Sequence, residues 1–129
     1  MHRPHRVVDD FEAVIRIHTQ AEGGRRSPPL NGIRWDFAYA DDPVPNRLYM
    51  IWPDFFDADG NSLPGDVPLP VDVELRARMT VVVDEMRSEV HQGRIRVGVK
   101  FYCQEGPKRV ASGVVTRITH LHDERTPLG

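Results

Sequence analysis

Strict alternation of apolar and charged side chains constrains this chain more than any other feature. In Val71-Asp72-Val73-Glu74-Leu75-Arg76-Ala77-Arg78-Met79 every second residue is apolar, with carboxylates and guanidiniums between. Side chains of a strand point alternately to its two faces, so this pattern predicts a strand with one buried and one wet side. Phe11 to His18 repeats it: Phe11, Ala13, Ile15 and Ile17 share one face, while Glu12, Val14, Arg16 and His18 share the other. Ile33 to Tyr39 places Ile33, Trp35, Phe37 and Tyr39 together. Arg47 to Trp52 reads as a shorter strand stopped by Pro53, because proline removes a ladder donor. Arg94 to Gln104 and Val110 to Thr119 read as two more, joined by Glu105-Gly106-Pro107-Lys108-Arg109. Residues 84–92 are the one stretch with helical spacing: Met86 and Val90 are four apart and Gly93 could end the turn.

Eleven prolines and ten glycines in 129 residues interrupt the chain too often for a helical bundle. With 40% apolar residues there is material for a core, and the length suits one domain. The expected fold is all-β, a small antiparallel barrel or sandwich over residues 11–119, with a flexible segment at 1–10 and a loose tail at 120–129.

Several chemistries are excluded or disfavoured. A net charge of −2 and a pI near 6.3 argue against a strongly basic nucleic-acid clamp while leaving room for a local basic patch. No run approaches the roughly 18–20 apolar residues of a membrane-spanning helix, and no signal-peptide pattern follows Met1. The single cysteine, Cys103, cannot form an internal disulfide, which fits a reducing cytoplasm; its strand setting suggests a buried, inert thiol. Phosphate-cradling, nucleophile-elbow and zinc-binding motifs are absent from the sequence. Asp57-Ala58-Asp59-Gly60-Asn61-Ser62 resembles the start of a calcium loop. Its sixth and twelfth positions hold Ser62 and Pro68 instead of glycine and a bidentate glutamate, so it reads as a turn. His120 and His122 could face one side but lack a third ligand, and read as solvated histidines. Asp9, Asp10, Asp41, Asp42, Asp57 and Asp59 read as solvated carboxylates of loops and ends. No cofactor, metal or catalytic site is therefore expected.

Four strings carry a resemblance to a known family. Glu22-Gly23-Gly24-Arg25-Arg26-Ser27-Pro28-Pro29-Leu30-Asn31-Gly32 is similar to the glycine-arginine loop that opens the C-terminal, third domain of elongation factor Tu. The aromatic strand Ile33 to Tyr39 follows it, as in that family. Pro64-Gly65-Asp66 precedes the long alternating strand, and Phe101 to Val115 is similar to the closing hairpin. The resemblance covers about residues 11–118. The resemblance implies a six-stranded antiparallel β-barrel that, in the full factor, packs on a GTPase domain and touches the backbone of aminoacyl-tRNA and the nucleotide-exchange factor. The GTPase domain has no counterpart in this sequence, so a detached third domain without GTP binding is expected.

By resemblance, Glu105 and Gly106 match hairpin positions that approach the tRNA backbone. Arg25 matches an arginine serving the interface with the GTPase domain, and Arg109 the arginine ending the hairpin turn. Departures bear on RNA binding: Asp36 stands where the family has a glutamine near the RNA, Pro107 replaces a glycine, and residues 84–98 are longer than their counterpart.

The expected function is a non-catalytic interaction module that binds a protein partner or a second copy of itself through the Arg25-Arg26 loop and the Glu105 to Arg109 hairpin. Trp52, Phe55 and Phe56 would then either anchor the partner or plug the end of the barrel. The alternative is RNA binding, with Arg25, Arg26, Arg34, Lys108 and Arg109 tracking phosphates. An enzyme with a ligand site at the barrel mouth is the third reading.

Overall fold

The computed structural model describes residues 8–125. Six antiparallel strands close into one barrel in the order β1-β4-β3-β2-β5-β6. They are β1 (Phe11–Ile17), β2 (Trp35–Tyr39), β3 (Tyr49–Phe56), β4 (Glu74–Val81), β5 (Lys100–Glu105) and β6 (Lys108–Ile118). Alternation predicted an all-β barrel or sandwich, and a closed six-stranded barrel, as the resemblance implied, is the fold observed.

Alternation fills the interior as expected. Phe11, Ala13, Ile15 and Ile17 point inward from β1, joined by Trp35, Phe37 and Tyr39 from β2 and Phe101 and Cys103 from β5. Phe37 and Phe101 stack at 4.6 Å and Phe11 meets both edge-on, at 6.2 and 6.5 Å. Such pairs add attraction beyond the area they bury. Burial in this apolar interior raises the Cys103 thiol pKa, as expected of an inert cysteine.

Several boundaries differ from expectation. β3 does not stop at Pro53 but runs through it to Phe56, with Pro53 opposite Met79 of β4. The reason is local: β2 pairs with β3 only from Tyr49 to Ile51, so beyond Ile51 no ladder bond to β2 is lost at a proline. β4 begins at Glu74 rather than Val71, because Asp72 takes φ 62°, outside strand geometry. Arg94 to Val99 is not strand: residues 84–94 are helical, with a π-turn at Arg87–His91 between two short α-turns, and a turn closed by Val99 N–H to the Arg96 carbonyl follows.

The two poles of the barrel differ. The helix pole gathers the strand ends Phe11, Tyr39, Tyr49, Val81, Lys100 and Ile118, and His91 of the helical segment packs there against Tyr39 and Tyr49. There Asp10, expected to be solvated, is fully buried. Its carboxylate accepts from Arg87 Nε and the Val81 amide, both at 2.8 Å, and from Arg125. Its carbonyl accepts the amides of Thr119, His120 and Leu121. Asp9 and the side chain of Asp42 are also buried. Leu121 is fully buried, so residues 9–10 and 120–125 are tied to the barrel rather than loose. The rest of both expected flexible ends, 1–7 and 126–129, lies outside the described residues.

Other expectations hold. Asp57 closes a turn by accepting the amides of Asp59 and Asn61 at 2.9 and 3.0 Å. Phe55 is core, edge-on to Trp35 at 6.2 Å, and is no partner anchor. Phe56 lies beneath the guanidiniums of Arg76 and Arg78, and Trp52 is half-buried.

Candidate functional site

The loop pole gathers the strand ends Ile17, Trp35, Phe56, Glu74, Glu105 and Lys108. The glycine-arginine loop enters it from β1 through a single 3-10 turn, Gln20–Glu22. Thr19 caps that turn, accepting from the Glu22 amide while the Glu22 side chain reaches back to the Thr19 amide. Gly23 then takes φ 92° and reverses the chain. Gly24 follows with no room for a side chain: a Cβ there would lie 2.5 Å from the His18 carbonyl oxygen. Glu22 also binds Arg16 at 2.8 Å, and that hydrogen bond, helped by the Thr19 amide, holds its carboxyl down to about 2. Arg16 reaches Asp72 as well, at 2.9 Å, fastening the loop to the start of β4.

This local path delivers Arg25 to the hairpin. Its Nη1 lies 2.5 Å from Glu105 Oε2, its Nε donates to the Ser27 carbonyl at 3.0 Å, and the Trp35 indole N–H donates to the same Glu105 oxygen at 2.9 Å. One carboxylate thus joins the loop, the start of β2 and the end of β5. Gly106 turns the hairpin with φ 59°, and Gln104 Nε2 donates to its carbonyl at 3.0 Å. Lys108 lies across from Glu105 in the ladder, and Arg109 across from Gln104. The Arg109 guanidinium covers the Tyr102 ring at 4.1 Å. Arg26, Arg34, Lys108 and Arg109 are exposed, and none of the four makes an ion pair among the described residues. A cleft of about 200 Å³ opens beside them between His18, Arg25, Arg26, Pro28 and Val71.

The structure therefore brings Arg25, Arg26, Arg34, Glu105, Gly106, Lys108 and Arg109 to one pole and its adjoining wall. Arg25 and Glu105 are occupied with each other, which leaves the remaining basic residues to face solvent. Asp36 lies opposite Gln104 and Met50 on the outside of the barrel. Sequence reasoning missed the part of Trp35 as a donor, since a strand pattern marks it only as core. It also passed over His18 and Ser112, whose hydrogen bond at 3.1 Å links β1 to β6 across 94 residues. Their outward positions in the alternation were the available signal.

No family model matches this chain. Among the described residues no group of three His, Cys, Asp or Glu side chains is placed to hold a metal ion, and no helix is long and apolar enough to cross a membrane. His120 Nδ1 instead pairs with Asp123 at 2.9 Å.

Proposed function

We propose that this chain is an interaction module, similar to the third domain of elongation factor Tu, that binds an acidic protein surface through its loop pole. The observation carrying this reading is the Arg25–Glu105–Trp35 junction. It fixes two otherwise separate loops against each other and holds Arg26, Arg34 and Lys108 around one rim without neutralising them. A rim fixed before binding loses little freedom on association, so its charges act on affinity and on encounter rate. The Arg25-Arg26 loop and the Glu105 to Arg109 hairpin then act as one contact surface.

A pull-down comparing the native chain with an Arg26→Glu/Lys108→Glu variant tests this. A partner retained by the native chain and lost to the variant supports the reading. Identical capture by both would sink it. Light scattering on a sizing column adds the self-association arm, since a second copy as partner requires a dimer that the charge reversal dissolves.

The same unpaired basic residues favour RNA as the second reading, against the acidic pI and Asp36. Fluorescence anisotropy with labelled mixed tRNA separates the two. Micromolar binding that weakens with salt, and weakens again in Arg26→Ala and Arg109→Ala, selects RNA. An absence of binding at low salt removes it.

A further inference from the structure

We propose that Ser112, on the outer wall of the barrel, is an activated nucleophile with His18 as its general base, able to accept an acyl group from a short-chain ester. This goes beyond the binding reading and stands or falls separately from it.

The hydrogen bonds fix the roles. His18 Nδ1 lies 3.1 Å from the Arg109 carbonyl oxygen, and His18 Nε2 lies 3.1 Å from Ser112 Oγ. A carbonyl can only accept, so Nδ1 carries the imidazole proton and Nε2 presents its lone pair to the hydroxyl. Ser112 Oγ–H therefore donates to a base that is itself oriented from behind, the arrangement that makes a serine nucleophilic. Here the orienting group is a backbone carbonyl rather than a carboxylate.

Position supplies the rest. Ser112 pairs with Arg16 of β1 and Tyr102 of β5 in the ladders, so its hydroxyl stands in the middle of the outer face. Between the side chains of β1, β5 and β6 lies a groove of about 320 Å³, whose lining includes Ser112, Val14, Val114, Arg16, Lys100 and one carboxylate, Glu74. Val14 and Val114 offer an apolar rest for an alkyl chain of a few carbons, and the volume is at the small end for ligand sites. Arg16 is held by Glu22 and Asp72, whereas Lys100 makes no ion pair among the described residues. Lys100 is therefore the cation left to meet developing negative charge.

In the step, Ser112 Oγ bonds to the ester carbonyl carbon as its proton passes to His18 Nε2. The carbonyl oxygen becomes an oxyanion beside Lys100. Collapse of the tetrahedral species breaks the carbon–oxygen bond to the leaving alcohol, which takes the proton from His18. Water then repeats the sequence on the acyl-serine, releasing a carboxylic acid and restoring the hydroxyl.

The test uses the full chain, a short-alkyl fluorophosphonate probe and p-nitrophenyl butyrate, with peptide mass spectrometry locating the label. The expected result is stoichiometric labelling at Ser112 that is absent in Ser112→Ala and at least tenfold slower in His18→Phe. Ester hydrolysis should follow the same order. Circular dichroism of both variants keeps the result readable, because each substitution is on the barrel surface and should leave the fold intact. Labelling elsewhere, labelling of Ser112 at the same rate in His18→Phe, or no labelling of the folded native chain would overturn the proposal.

Discussion

Gly24 decides whether the glycine-arginine loop can close. Its Cα sits so near the end of β1 that an added methyl would meet the His18 carbonyl at 2.5 Å and the Thr19 carbonyl at 2.7 Å. Both obstacles are backbone and cannot swing away. Gly24→Ala is therefore expected to cost about 2 kcal/mol or more, read as a lower urea midpoint, and to loosen the Arg25–Glu105 pair with it. Glu105 is a milder case, because its partner Arg25 is partly exposed and screened by water. Glu105→Gln keeps an acceptor for the Trp35 indole but loses the charge, and about 1 kcal/mol of stability is the expected loss. Tryptophan fluorescence should report both changes, since Trp35 is buried against this carboxylate and Trp52 is on the far side of β3's alternation.

Among the elements, the helical segment 84–94 does the most that its length would not suggest. Its π-turn brings Arg87 and His91, both buried, to the underside of the segment. Arg87 binds Asp10 and donates to the carbonyls of His120, Leu121 and Asp123 at 2.7, 3.1 and 3.0 Å. One side chain thus ties the helical segment to both ends of the described chain. Arg87→Met should cost roughly 3–5 kcal/mol, because it leaves a buried carboxylate with a single cation and takes a donor from three carbonyls, of which those of His120 and Leu121 keep the Asp123 amide and Gln92 Nε2. Hydrogen exchange at residues 119–121 would show the effect locally, ahead of any loss of strand protection.

At the scale of the whole molecule, acid sensitivity follows from His91. Its Nδ1 lies 2.6 Å from the Tyr39 hydroxyl, and its ring packs edge-on to Phe37 and Tyr49 at 5.7 and 5.0 Å. Nε2 is buried with no hydrogen-bond partner. Burial, with a further push from the Arg94 guanidinium, lowers the imidazole pKa from 6.5 to about 4. The unfolded chain takes up this proton near pH 6.5 and the folded chain only near 4. Stability contributed by neutral His91 is thus intact above pH 6.5, declines as pH falls from 6.5 towards 4, and is lost below 4. The total is about 3 kcal/mol. Urea midpoints measured across that window should fall with pH in the native chain and fall less steeply in His91→Phe.

How much of this was legible in the sequence depends on range. Alternation is local, and it placed Phe11, Ile15, Trp35, Phe37 and Met79 inside the barrel correctly. It misread Asp9 and Asp10 because the partners that make burial of Asp10 tolerable, Arg87 and Arg125, lie 77 and 115 positions away. Pro53 misled for a related reason: whether a missing amide matters depends on where β2 ends. The resemblance brought Arg25 and Glu105 forward, yet their direct pairing was not foreseen, and Trp35 as its third member is visible only once the barrel has closed.

Closure also settles where the chain leaves the barrel. Asp10 and Leu121 are joined through backbone hydrogen bonds at the helix pole, the end opposite Arg25 and Glu105. An affinity tag, fluorophore or fusion partner attached beyond either side of the described span would therefore hang from the far pole. Tethered to a sensor surface that way, the protein should present its basic rim outward, so binding assays need no compromise between anchoring the molecule and leaving its proposed contact face open.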